Sequence, residues 1–307
     1  MILAGARAYL WMLAGSLSFA TMGALSRSLG TSTDWRMLAL VRSALMAVFA
    51  VGITVATRAP FTLRASPTLW MRSIVGSLGM LCTFYTLTHL QFSEATTLLK
   101  SYPIAVSALA WLVLRERPGG KVWVAVGLGV AGVVLIARPH FEESRFAIGV
   151  ALVSSLMTAV VMLGLNRLSA VDTRTIVTHF ALVATAICAV AVLLPGGAGP
   201  LLRSPVGGPR ELSMLLGMGL AGTLGQLAMT RAFATGEASR VSVVGLTELL
   251  FALGYDAWIW NRSFSGWTLS GMALVAAPTG WILSTAPLRA PGGSAPPPGS
   301  AAPGGSP

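Results

Sequence analysis

The chain has 307 residues, 54% hydrophobic and only 10% charged, with a formal net charge of +11. A water-soluble domain of that length needs far more charge on its surface, so a soluble globular fold is excluded. The basic excess forms neither a stripe nor an aromatic-laced patch, which argues against a nucleic-acid partner.

Apolar runs long enough to cross a hydrocarbon core of about 30 Å recur along the chain. Charged and Gly/Pro-rich breaks set predicted helices at 8–28, 36–57, 69–89, 92–114 and 121–138, then at 146–166, 175–195, 211–233, 240–260 and 265–286. The first run follows Arg7 and could pass for a signal peptide, but nine further spans favour an uncleaved helix. In the fifth span, GLGVAG (Gly127–Gly132) spells a dinucleotide fingerprint without the strand–turn–helix setting that motif needs. Small residues there suit close helix packing in lipid instead. From Pro287 the sequence PLRAPGGSAPPPGSAAPGGSP is too poor in bulky apolar groups to order itself, and 287–307 is expected to be a disordered tail.

The loops set the expected orientation. Segments on the side of the N-terminus, including 57–72, 115–121, 167–174 and 231–240, carry twelve Lys and Arg residues against seven on the opposite side. Arg72 is counted in the first set. This bias predicts both termini in the cytoplasm and a multi-pass protein of the cell's inner membrane.

An internal repeat organises the chain. GSLGMLCTFYTLTHLQFSEAT (Gly76–Thr96) aligns without a gap to GLAGTLGQLAMTRAFATGEAS (Gly219–Ser239) at an offset of 143, matching Gly76/Gly219, Gly79/Gly222, Glu94/Glu237 and Ala95/Ala238. Each half then holds five spans, and an odd number inverts the second half in the membrane. The expected fold is all-α and polytopic, with ten transmembrane helices in two inverted five-helix repeats, 1–140 and 141–286.

The segment from Thr83 through Pro139 resembles the EamA-type drug/metabolite transporter superfamily. The marks are FYTL, Glu94-Ala95 opening the fourth span, Pro103 in mid-span, the Arg-Glu-Arg exit and the glycine-rich fifth span. GQLAMTRAFATGEAS and LTELLFALGYDAWIW look like the second-half counterparts, and the similarity covers 8–286. The resemblance implies a central cavity lined by spans 1, 3, 4, 6, 8 and 9, in a family that includes exporters of amino acids and other metabolites and some importers. Trp260-Asn261-Arg262 departs from the acidic residue that such proteins usually repeat. Lys100 and Tyr102 stand where aromatic amino-acid exporters of the superfamily carry Tyr and Trp. That departure points to an anionic or zwitterionic ligand.

Charges within the spans mark candidate binding groups, because each costs roughly 2.5–3.5 kcal/mol to insert. Lys100 lies six residues past Glu94, about 9 Å into the fourth span. Thr96, Thr97, Lys100, Pro103, Ser107 and Trp111 fall near one line at 100° per residue, with Tyr102 pointing elsewhere unless the proline kink turns it. Snorkelling of Lys100 to the surface is the bland alternative. Glu248 lies near the middle of span 9, with Tyr255 on its face, and a desolvated carboxyl there can carry a proton. A zwitterion is expected to place its carboxylate on Lys100 and its ammonium towards Glu248. Ser18 and Thr158, matched at an offset of 140, Tyr85 and Gln226 complete the candidate substrate contacts, although each also serves as packing glue between helices. Arg42 reads as a structural or headgroup contact.

These features favour a secondary transporter exporting small metabolites such as amino acids, with an exchanger or importer of organic anions or nucleotide-like metabolites through Lys100 as the alternative. Protons are the candidate coupling ion. Membrane lipids are partners, the chain is expected to be a monomer or weak homodimer, and no cofactor or metal is expected. His89, His140 and His179 show no metal spacing. An enzyme would need a carboxylate pair, metal cluster or nucleophile triad, and a channel a ring of charge; neither is visible.

Overall fold

The computed structural model describes residues 3–28, 35–60, 66–90, 92–115, 118–137, 145–194, 208–261 and 263–284, all helical apart from short turns. The expected tail at 287–307 lies outside the described residues. Five helices make the first half up to residue 137, with one of them divided: α1 (Leu3–Ser28), α2 (Trp35–Ala56), α3 (Pro67–His89), α4 (Phe92–Leu99) with α5 (Tyr102–Leu109) and a π-turn (Ala110–Leu114), and α6 (Gly120–Ala137). The second half repeats the pattern: α7 (Arg145–Arg167), α8 (Thr173–Leu193), α9 (Pro209–Thr235), α10 (Ala238–Gly245) with α11 (Thr247–Trp260), and α12 (Gly266–Ser284). Counting each divided pair once gives ten spans, and seven of the described stretches are long and apolar enough to cross a membrane by length and composition alone.

Local chemistry sets the ends. Ser66 caps α3 by accepting from the Leu69 amide, and Pro67 follows where no amide partner is needed. Asp172 caps α8, accepting from the Arg174 amide at 2.8 Å. Spans 4 and 9 both end on a left-handed residue, Arg115 and Asn261, which turns the chain out of the helix.

The burial pattern is that of a protein in lipid. Val55, Leu112, Phe146, Leu193 and Trp258 are exposed, while Ser16, Ser43, Ser77, Thr223 and Ser239 are buried. Backbone groups are satisfied within each helix, so the outer face can be purely apolar and the inner face small and polar.

Packing follows the inversion. α2 packs on α8 and α6 on α12, so equivalent spans of the two halves meet each other. The first helix of each half crosses over: α1 packs on α9, α10 and α11, whereas α7 packs on α3, α4 and α5. At the α6–α12 contact a Cβ on Gly132 would lie 2.7 Å from the Gly271 carbonyl oxygen, and one on Gly271 would lie 2.7 Å from that of Gly132. The GLGVAG run therefore serves helix contact.

Candidate functional site

Both divided spans break near matching places, the second break falling two to three residues later in the repeat register. In span 4, α4 ends at Leu99 and α5 begins at Tyr102; Pro103 brings no amide to bond across the gap. The Ser101 hydroxyl donates to the Leu98 carbonyl at 2.6 Å, covering a carbonyl at the break. In span 9, α10 ends at Gly245 and α11 begins at Thr247, with no proline in this stretch. The Thr247 hydroxyl donates to the Val244 carbonyl at 2.7 Å in the same manner. Each break meets a serine from the first helix of the opposite half. Ser155 of α7 and Ser101 lie 3.3 Å apart, and the Ser16 hydroxyl of α1 lies 3.5 Å from the Gly245 carbonyl.

Lys100 and Glu248 emerge at these two breaks and form an ion pair, Nζ to Oε2, of 2.7 Å. Their side chains keep 18% and 29% exposure, so solvent-sized molecules reach both. Arg42 of α2, half-buried, lies within electrostatic range of the same carboxylate. Its guanidinium lies 5.7 Å from the Phe84 ring centroid, and its Nε has no acceptor. Two cations thus converge on one anion. Of the two expected readings of Arg42, a structural or a headgroup contact, its packing on Phe84 supports the structural one.

The other sequence candidates distribute around and beyond this pair. Tyr102 is buried, and its hydroxyl donates to the Ser242 carbonyl at 3.3 Å. Ser107 is buried with an unpartnered hydroxyl, on the same half-helix as Tyr102. Trp111 is 61% exposed on the outer surface and is not brought to the site. The π-turn from Ala110 winds more slowly than an α-helix, and together with the break at Lys100 it carries Trp111 off the polar line. Tyr255 hydrogen-bonds Thr21 at 2.7 Å, tying α11 to α1. Tyr85 stacks on His89 at 3.9 Å and meets Trp35 edge-on at 5.7 Å, near the end of α3. Thr158 donates back to Ser154, which itself bonds Thr83 at 2.8 Å and seals α7 to α3.

Ser18 donates to the Ala14 carbonyl and lines a cavity of about 800 Å³ with Trp11, Asp172, Arg174, Leu224 and Arg231. This hollow opens at the face of the bundle where α1 begins and α9 ends. At its rim Arg174 grips both oxygens of Asp172 at 3.0 and 2.7 Å. Those hydrogen bonds hold the Asp172 carboxyl below its usual range.

Gln226 accepts from Arg72 Nη2 at 3.1 Å. Arg72 lies inside α3 and is 1% exposed. Its count as a loop cation is thereby corrected. Its position five residues past Pro67, at the start of α3, hid this, since only packing distinguishes a helix-end cation from a buried one. The break in span 9 was also missed, although the repeat offset maps Tyr102-Pro103 onto Gly245-Leu246. Among the described residues no cluster of three or more His, Cys, Asp or Glu side chains forms.

Comparison with known proteins agrees with the architecture. The chain is 27% identical over 266 residues to the pseudopaline exporter CntI of Pseudomonas aeruginosa, covering 85% of this chain and 90% of that one. It is 25% identical over 230 residues to solute carrier family 35 member G1 of Mus musculus, covering 69% of this chain and 60% of that one. A solved crystal structure matches with a TM-score of 0.77 at 16% identity, covering 91% of this chain and 96% of the other, which speaks to the fold. The EamA-like transporter family model matches twice, at residues 6–138 and 145–284. This chain is a multi-pass membrane transporter and belongs to the EamA-like transporter family.

Proposed function

We propose that the protein is a secondary active exporter of small metabolites, amino acids foremost, working by alternating access between the two repeats. The observation that carries this reading is the 2.7 Å pair of Lys100 and Glu248 where two broken helices of opposite halves meet. An ammonium and a carboxylate held by opposite halves are the complement of a zwitterion. A substrate exchanges one internal ion pair for two external ones, its carboxylate on Lys100 and its ammonium on Glu248. Binding then links the halves through the ligand instead of through each other, and rocking moves the site from one side to the other. The match to an exporter over 85% of this chain supports outward transport. The loop charges, eleven against seven once Arg72 is set aside, support both termini in the cytoplasm of a cell's inner membrane. Glu248 carries the coupled proton on the return step, when neither Lys100 nor a substrate ammonium occupies it.

Radiolabelled counterflow in proteoliposomes tests the reading. Excess unlabelled amino acids should drive uptake of a labelled one, and multiply charged organic anions should not. A second reading rests on Arg42: with its charge in range of Glu248, the site carries one cation more than it needs for a zwitterion. Counterflow driven only by dicarboxylates or nucleotide-like anions would establish that reading and remove the first.

A further inference from the structure

We propose that Arg72 forms a second binding station, for a small anion or a ligand's carboxylate group, inside the bundle and separate from the Lys100–Glu248 pair. The guanidinium is almost wholly buried and lies 3.9 Å from the Phe180 ring centroid. Only its Nη2 has an acceptor, the neutral Gln226 amide; its Nε and Nη1 are buried without one. Three described carboxylates pair with other cations: Glu248 with Lys100, Glu237 with Arg240 and Asp172 with Arg174. A buried cation without a counter-charge is costly unless an anion supplies one.

The surroundings fit such a guest. The His179 imidazole, which feels the charge of Arg72, keeps a buried Nε2 without a partner, while its Nδ1 is held 2.8 Å from Ser73. One turn beyond Gln226 on the same face of α9, the buried Thr230 hydroxyl is also unpartnered. Glycine at 76 lets the guanidinium and the Phe180 ring close on the helix backbone, where a Cβ would sit 3.5 Å from Nη1 and 3.1 Å from Phe180. One positive group with neutral donors around it selects a singly charged anion over a multiply charged one.

The station is displaced in depth. Gly76 lies against Val161 of α7, while the break at Ser101 lies against Ser155 of the same helix. Six residues of helix separate the two levels by about 9 Å. Arg72 is the one nearer the face where α1 begins. Its position suits a stop on the route between that face and the central pair, and the assignment stands whatever the substrate at that pair.

Thermal melts of the purified full chain test the proposal, with sodium chloride or sodium acetate titrated against a bulky sulfonate buffer salt. The wild type and Lys100→Ala should show a saturable rise of about 3 °C. Gln226→Glu supplies an internal carboxylate, so it should melt above the wild type without added salt and lose the response. Arg72→Gln should lose the response as well. A response to both salts assigns an inorganic anion, and a response to acetate alone assigns a ligand carboxylate. No response in the wild type would mean that the donors meet only water and would overturn the assignment. So would an undiminished response in Gln226→Glu or Arg72→Gln, or a response abolished by Lys100→Ala alone.

Discussion

Tyr102 and Gly245 occupy equivalent positions of the two repeats, at the same offset of 143 that aligns Gly76 with Gly219, and they touch each other. A residue can meet its own repeat mate only beside the pseudo-two-fold axis, so the axis passes through the two helix breaks. A Cβ at Gly245 would overlap the Tyr102 hydroxyl and lie 2.7 Å from the Met12 methyl. Gly245→Ala should therefore destabilise the protein by about 1–3 kcal/mol. Tyr102→Phe should restore much of that loss, because the flexible Met12 end can move and the ring carbon sits 3.7 Å away. Equal melting temperatures for Gly245→Ala with and without Tyr102→Phe would refute the contact.

The Lys100–Glu248 pair should be judged by transport and stability together. Lys100→Met should reduce counterflow roughly 10- to 100-fold, the worth of a hydrogen bond to a charged group. Since both side chains keep some exposure, the stability loss in the single variant should stay near 1 kcal/mol. Lys100→Met/Glu248→Gln should melt higher than Lys100→Met while remaining inactive. Transport by Lys100→Met at the wild-type rate would remove this residue from the site.

Glu248→Gln separates proton coupling from packing. It keeps shape and hydrogen-bonding capacity but cannot exchange a proton. Exchange measured between pH 5.5 and about pH 8 should lose its pH dependence in this variant, and the neutral amide should hold the substrate ammonium more weakly than the carboxylate does. A profile that still follows the wild type would assign the proton to another group.

At the α6–α12 seam, Gly132→Ala and Gly271→Ala should each cost about 1–3 kcal/mol, since each methyl would meet a facing carbonyl oxygen. Gly127→Ala, with open space at its Cβ, is the matched control and should be neutral. Detergent-melt measurements on the three variants make the comparison.

Asp172→Ala should remove the α8 cap at a cost of about 1 kcal/mol. The carboxyl is held below its ordinary value of 3.8 in the folded protein, so its contribution is fully present above that value. It fades as pH falls through the lowered native value. The melting gap between wild type and Asp172→Ala should accordingly be constant from pH 7 to about pH 5 and close only in stronger acid. A gap that already closes near neutrality would contradict the Arg174 grip.

Span limits were legible to within two residues, except for the start of α1, which begins five residues earlier than expected. Charges, glycine and proline punctuate apolar runs sharply, because a misplaced end would bury them in lipid. Lys100 and Glu248 were legible as binding groups for the same reason: a charge in mid-span is costly unless it has a task. Rotation about the helix axis was not. A period of 100° per residue carried across a break and a π-turn put Trp111 in the polar line, whereas the chain unwinds between them. Arg72 was misread because composition cannot separate a loop cation from one buried a turn later. Its acceptor, Gln226, lies 154 residues away in sequence.

The exchange of first helices between halves also sets a timetable for biogenesis. α1 is synthesised first, yet its packing partners begin only at Pro209. At translation speeds of roughly 5–20 residues per second, it must wait in the bilayer for on the order of ten seconds or longer before it can dock. A newly inserted first half is thus an unfinished object, with one helix idle until the ribosome delivers α9 to α11.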